Sequence, residues 1–303
     1  MAGYTDRVYR QILREHGAPY CYTEMISGKG LVLGGLGSTE LLFHGDEDRP
    51  LAVQIFGSDP GVMGEAAAIV ASHPAGFEAI DINMGCPSRK IVSDGAGGAL
   101  TGDIPRASSI VRAVRDATSL PVTVKIRVEK GNSDRTGFAR ALADSGADLI
   151  AVHGRTVSQG YSGKADWDAI TAISKAVSVP VVGNGDVASA QDALDILNSG
   201  AVAGVMIGRG MLGNPGIFRD VRQLFEGQPI QTMSPEDKME LAKDHFLRSI
   251  HARGPRQGLL CMRAQLPFYF RGFRGASRLR GAIVHETSPE GVLKILDEAA
   301  TKE

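Results

Sequence analysis

Up to about Phe225 the chain alternates short β-branched, apolar runs with longer amphipathic stretches. Strands are predicted at Tyr20–Glu24, Leu51–Ile55, Ala79–Asn83, Val122–Ile126, Leu149–Val152, Val181–Gly183 and Gly204–Ile207. Helical spacing covers Pro60–Ser72, Pro105–Thr118, Asp134–Ser145, Trp167–Val177, Ser189–Ser199 and Gly216–Phe225. A further helix is predicted at Asp6–His16, with Thr5 as its N-cap. Such alternation signals a parallel sheet with crossover helices. If the glycine-rich stretch Ser27–Leu42 also carries a helix, helices outnumber strands by one. Only five residues precede Asp6, so either the sheet is a seven-unit open structure or, as the length of the rest favours, the fold is an α/β (β/α)8 TIM barrel whose first strand is truncated. From about Ser234 only helical patterns follow: Pro235–Arg253, a break at Gly254-Pro255, Leu259–Phe270 and Pro289–Ala300. Residues 1–226 are therefore expected to form the barrel domain and residues 234–303 a small helical domain.

Hydrophobic residues make up 43% of the chain and charged residues 22%, which excludes general disorder. No apolar run approaches the roughly 18 residues of a membrane span, and no secretory signal precedes the first helix. Cys21, Cys86 and Cys261 lie far apart, so neither a disulfide framework nor a zinc site is expected, and a cytoplasmic location follows. The net charge of −1 conceals an asymmetry. From His245 to His285 there is no Asp or Glu, whereas Arg248, Arg253, Arg256, Arg263, Arg271, Arg274, Arg278 and Arg280 all fall there. Phe268, Tyr269, Phe270 and Phe273 lie among them. Arginines with aromatics suit phosphate forks and base stacking, and a solvated helical face is the plainer alternative.

In a parallel barrel the chemistry gathers where strands end. Polar or special residues stand there in every predicted strand: Glu24, Gln54, Asn83, Lys125 with Arg127, His153 with Arg155, Asn184-Gly185-Asp186 and Gly208-Arg209-Gly210. Packing alone would favour apolar groups at these places. The last two segments flank the position where barrels bind phosphate, so a phosphorylated cofactor or substrate is expected. Lys125, among β-branched residues, needs a partner: a structural salt bridge, a Schiff base or an anionic cofactor would each supply one. Cys86 stands in a loop before Arg89, Lys90 and a glycine-rich segment, which points to a reactive rather than a packed thiol. His153 is placed for a polar ligand contact, and no spacing suggests a metal.

These residues carry a resemblance. Asp81-Ile82-Asn83-Met84-Gly85-Cys86-Pro87 and Val152-His153-Gly154-Arg155-Thr156, in this order, resemble the tRNA-dihydrouridine synthases. Met1-Ala2-Gly3-Tyr4-Thr5-Asp6, Val53-Gln54-Ile55-Phe56-Gly57-Ser58, Val122–Arg127 and Met206–Arg209 extend the likeness, and Asn184-Gly185-Asp186 is most similar to the bacterial B-type branch. The resemblance implies FMN, with its phosphate on Asn184, Gly185, Asp186, Gly208 and Arg209. Gln54, Asn83, Lys125 and His153 would contact the ring and ribityl chain, and Ala2 would lie against the ring. It implies NADPH as electron donor, hydride transfer to C6 of a flipped-out tRNA uridine, and proton donation to C5 by Cys86. Arg89, Arg155, Arg263, Arg271 and Arg274 would contact tRNA, and the protein is expected to be a monomer. The family's Arg-Lys-His element in the tail is replaced here by Arg263-Ala264-Gln265. A flavin barrel acting on a free pyrimidine, such as a dihydroorotate dehydrogenase, and a tRNA-binding remnant without flavin are the rival expectations.

Overall fold

Eight parallel strands make the sheet: β1 (Cys21–Tyr22), β2 (Ile26–Ser27), β3 (Leu51–Phe56), β4 (Ala79–Met84), β5 (Val122–Arg127), β6 (Leu149–His153), β7 (Val181–Asn184) and β8 (Gly204–Met206). They come from a computed structural model that describes residues 1–129, 136–231 and 233–300. Hydrogen bonds run in the order β1-β3-β4-β5-β6-β7-β8, with β2 also pairing β3. From β2 onward helices cross between successive strands, as in a TIM barrel, and helices alone follow. Among the described residues no pairing joins β8 to β1.

Local chemistry starts the crossover helices. Asp59, Asp103 and Asp166 each accept the backbone N–H three residues on, opening Pro60–Ala71, Ile104–Asp116 and Trp167–Ala176. Ser189 and Asp192 form a reciprocal capping box before Ala190–Asn198. Each cap satisfies N–H groups that have no partner inside the helix. Along the strands the period of two separates two faces. Val53, Ile55, Ile80, Ile82, Val122, Val124, Ile126, Ile150 and Val152 are buried aliphatics of one face. Gln54, Asp81, Asn83, Thr123, Lys125, Arg127, His153 and Asn184 belong to the other.

The chain divides into two compact units, Tyr20–Gly208 and Met1–Pro19 with Arg209–Glu303. In the second, helix Arg7–Glu15 packs against helix Pro235–Arg253. Tyr9 stacks on buried His245 at 4.9 Å, and its hydroxyl donates to the Met211 carbonyl at 2.5 Å. Burial holds the His245 imidazole down at about 4, so it is neutral. Met239, Phe246, Met262, Tyr269, Phe270, Phe273, Ile283 and Leu296 belong to the core of these helices.

Several expected boundaries move. Asp6, not Thr5, caps the first helix, accepting from Tyr9 N at 2.9 Å. The stretch Ser27–Leu42 holds two short helices, Gly28–Val32 and Leu36–Thr39, and a 3-10 turn, Glu40–Leu42. The helix expected at Asp134–Ser145 is described as Gly137–Asp144, and residues 134 and 135 lie outside the described residues. The helix expected at Leu259–Phe270 spans Pro255–Gln265, because proline fits the first helical turn, and the 3-10 turn Leu266–Phe268 follows it. A helix at Ala276–His285 was not expected.

Candidate active site

Strand register builds one polar row on the inner face. Gln54 sits opposite Asp81 and Asp81 opposite Thr123; Asn83 sits opposite Lys125, Arg127 opposite His153, and His153 opposite Asn184. Asp81 is fully buried and accepts from Gln54 Nε2 at 2.7 Å and Thr123 Oγ1 at 2.6 Å. Gln54 Oε1 accepts from Asn83 Nδ2 at 2.9 Å. Asn83 Oδ1 in turn accepts from the backbone N–H of Gly85 at 3.2 Å and of Cys86 at 2.9 Å. The turn carrying the cysteine is thus tied to a side chain of the strand before it.

Two further features hold that turn. Arg127, 4% exposed, donates from Nε to the Gly85 carbonyl at 2.7 Å and from a terminal nitrogen to the carbonyls of Thr156 at 3.2 Å and Gly160 at 2.8 Å. It bridges the loop after β4 to the loop after β6, and the Tyr161 ring lies 5.8 Å from its guanidinium. Behind the thiol, Gly98 N donates to the Cys86 carbonyl at 3.0 Å. A Cβ on Gly97 would meet Cys86 Cβ at 3.1 Å and Ile91 at 2.9 Å, and φ there is +57°, so only glycine fits. Cys86 itself is half-buried.

Lys125 has no hydrogen-bond or ion-pair partner among the described residues. Burial and the neighbouring Arg127 charge bring its ammonium down to about 7, against the pull of Asp81. Burial likewise raises the Asp81 carboxyl to about 6, opposed by its bonds to Thr123 and Gln54 and by Lys125. A salt bridge or hydrogen bond is therefore not what holds Lys125 in place, and an anion on this face would supply the partner that burial demands.

The loop after β7 is braced from behind. Asn184 Nδ2 donates to the Met206 carbonyl at 2.8 Å. Trp167 Nε1 donates to the Gly185 carbonyl at 3.2 Å, and the indole fills the space that a Cβ on Gly183 would need. Asp186, with φ of +57°, is bound by Arg155 at 2.6 and 2.8 Å and by Ala165 N at 2.8 Å. Arg155, 3% exposed, also donates to the carbonyls of Ser162 and Gly163. That burial makes Arg155 a clamp of its own loop rather than a surface contact. His153 is 8% exposed, and Gly208 is half-buried beyond the end of β8.

The remaining expected residues are placed singly. Ala2 is exposed in a turn closed by Tyr4 and Thr5 N–H groups on the Met1 carbonyl, at 3.0 and 3.1 Å. Arg209 is exposed and opens the turn Arg209–Met211. Arg89 is exposed on the short helix Arg89–Ser93. In the tail, Arg263 donates to the Glu286 carbonyl, while Arg271 lies over the Phe268 ring at 4.7 Å and Arg274 is exposed. The expectation of aromatics interleaved for base stacking is corrected. Tyr269, Phe270 and Phe273 are 1%, 0% and 7% exposed and form core. Arg248 and Arg253 are also not free charges, since Glu15 with Asp244 and Asp6 bind them at 2.6, 2.9 and 2.9 Å.

Asp81 and Trp167 escaped the sequence reading as functional residues, and Arg127 was legible only as a strand-end polar residue, without its role as a brace. The signals were present: Asp81 is two residues before Asn83, and Trp167 is the chain's one tryptophan.

The residues fit a group with hydrogen-bonding edges and negative charge. Gln54 Nε2 and Asn83 Nδ2 each keep a second N–H, and Lys125 has no hydrogen-bond or ion-pair partner among the described residues. The family model "Dihydrouridine synthase (Dus)" matches residues 1–303. The chain is 38% identical over 299 residues to a "Probable tRNA-dihydrouridine synthase" of Treponema pallidum, covering 95% of this chain and 88% of that one. It is 35% identical over 283 residues to the tRNA-dihydrouridine synthase B of Pseudomonas aeruginosa, covering 92% and 85%. Among solved structures, a variant of NCR from Zymomonas mobilis superposes with a TM-score of 0.53 at 17% identity, over 78% of this chain and 88% of that one, a likeness of fold. With a match along its whole length and relatives above a third identical, the chain belongs to the dihydrouridine synthase family.

Proposed function

We propose that this chain reduces the C5=C6 bond of uridines in tRNA to 5,6-dihydrouridine, with FMN on the inner face of the sheet and NADPH as electron donor. The observation that carries the reading is the Cys86 turn, tied through Asn83 to the Gln54 amide beside the unpartnered Lys125. The relatives' names support the substrate class.

Bound FMN supplies the hydride, received from NADPH, that reaches C6 of the uracil. Everything else falls to the chain's own residues. Gln54, Asn83, Lys125 and His153 would hold the ring and ribityl chain, with the phosphate end at Asn184, Gly185, Gly208 and Arg209. Asp186 would act there through Arg155, since its carboxylate is already neutralised. Ala2 would complete the ring contact. Addition at C6 builds negative charge on C5 and the uracil carbonyl, and the Cys86 thiol gives up its proton to C5. Arg127 keeps the thiol's turn in place while this occurs. Residues 1–226 form the catalytic part in this reading and residues 234–303 the tRNA-recognition part, with Arg263, Arg271, Arg274 and, near the thiol, Arg89 as the contacts. The base leaves the tRNA stack to reach the sheet.

Cys86→Ala tests the reading. A positioned general acid contributes about 10²–10⁴ in rate. The variant is expected to bind FMN and oxidise NADPH as the parent does, and to lose dihydrouridine formation by about that factor. Dihydrouridine made at the parent's rate would remove Cys86 from the reaction.

A further inference from the structure

The bonds from Asp81 to the Cys86 turn have a direction. A buried carboxylate at neutral pH accepts hydrogen bonds and cannot donate one, and the Asp81 carboxyl titrates at about 6. Gln54 must therefore present Nε2 to it, which turns Oε1 toward Asn83. Asn83 must then present Nδ2 to Gln54, which turns Oδ1 toward the N–H groups of Gly85 and Cys86. Reverse either amide and two donors, or two acceptors, face one another in a buried site, at the cost of an unmade bond. Glutamine and asparagine have no such preference of their own, so the order comes from the two ends of the line: Asp81, which can only accept, and the Gly85 and Cys86 N–H groups, which can only donate.

We propose that Asp81 is a positioning residue: it anchors the accepting end of the Gln54–Asn83 chain and so steadies the turn from which Cys86 acts. The inference rests on the reading of Cys86 as proton donor. Asp81 touches neither the thiol nor the reacting base; it acts through two amides, over two strands and one turn.

Thr123 makes the test selective. Its hydroxyl donates to the second Asp81 oxygen but can equally accept. In Asp81→Asn, the new amide can keep its oxygen on Gln54 and donate to Thr123, so the direction survives. In Thr123→Val, the carboxylate still accepts from Gln54, and the direction again survives. In the double variant the new amide has lost its Thr123 partner and is held by Gln54 alone, so the accepting end of the line is no longer anchored. The experiment uses the full chain loaded with FMN. It measures deuterium exchange at Gly85 and Cys86, and separately the rate of NADPH oxidation and of reoxidation by tRNA.

Each single variant is expected to stay within about threefold of the parent in both exchange and reoxidation. The double variant should exchange about tenfold faster at Gly85 and Cys86 and reoxidise about tenfold slower with tRNA, the loss of one well-made bond. Parent-like exchange in the double variant overturns the proposal. So does a Thr123→Val variant as impaired as the double, since that is a packing effect. Should the double variant not fold, Asp81→Leu removes the acceptor while filling its volume, and it too must lose protection at Gly85 and Cys86; unchanged protection overturns the proposal. If the parent reduces no tRNA uridine, the assigned reaction falls, and exchange at the two amides still decides the role of Asp81.

Discussion

On the inner face of the sheet, polar side chains are spent on one another: Asp81, Thr123, Gln54 and Asn83 form a continuous line that ends on backbone N–H groups beside Cys86. The arginine-rich tail is organised in the opposite way. Its aromatics withdraw into the helical core, Arg248 and Arg253 are held by acids from the first helix and its own, and Arg256, Arg274, Arg278 and Arg280 remain on the surface. A buried line fixes geometry to a fraction of an ångström, which proton donation needs. A surface of long, exposed cations fixes little but attracts a polyanion from a distance, which the proposed tRNA capture would need. The two regions solve different problems with similar residue types.

The largest effect that sharpens this contrast is expected in the tail's core. Phe270→Ala removes a fully buried ring and should cost about 3–5 kcal/mol of stability, whereas Phe268→Ala, at a half-buried ring under Arg271, should cost about 1 kcal/mol or less. Urea unfolding separates them, and equal losses would return the aromatics to the surface.

A smaller effect is expected at Lys125. Its ammonium titrates at about 7 when folded and near 10.5 when unfolded. Between these values the unfolded chain binds more protons, so stability rises with pH from about 7 to 10. The Lys125 part of that slope is at most about 1.4 kcal/mol per pH unit, the limit for one proton. Thermal melts of the FMN-free protein should show the rise, and Lys125→Met should remove it. An unchanged slope in that variant would mean that Lys125 is solvated after all.

The smallest effect concerns the exposed arginines. Arg278→Ala with Arg280→Ala should lower the slope of log affinity for tRNA against log salt by about 1–2, with no change in melting temperature. Arg248→Ala, at a cation already bound by Glu15 and Asp244, should leave the slope where it was. Equal slopes for the two variants would break the distinction between paired and available charge.

The same contrast explains what could be read without coordinates. The inner row was legible because strands impose a period of two and end at the chemistry. Gln54, Asn83, Lys125, His153 and Asn184 needed only those two rules to be singled out. What escaped needed register between strands. Asp81 becomes functional only once it is known to sit opposite Gln54 and Thr123; Arg127 was legible as a strand-end residue, but its reach to Gly85, Thr156 and Gly160 was not. Arg155 and Asp186 were legible as polar loop residues but not as a pair, because their bond spans two loops. In the tail the helix Ala276–His285 was hidden by a thin apolar pattern; Ile283 is its one buried residue. The arginine run read as unopposed because the acids that bind Arg248 and Arg253 lie outside the run.

The central claim is that the inner row, with Lys125 in it, receives a flavin within reach of Cys86. Titration of the FMN-free protein with FMN, followed by its visible spectrum and then by NADPH addition, tests it most directly. The account predicts a saturable change in the flavin bands, bleaching by NADPH, return of colour on adding unmodified tRNA, and weaker binding in Lys125→Met. A flavin whose spectrum stays that of the free molecule at every protein concentration would contradict it.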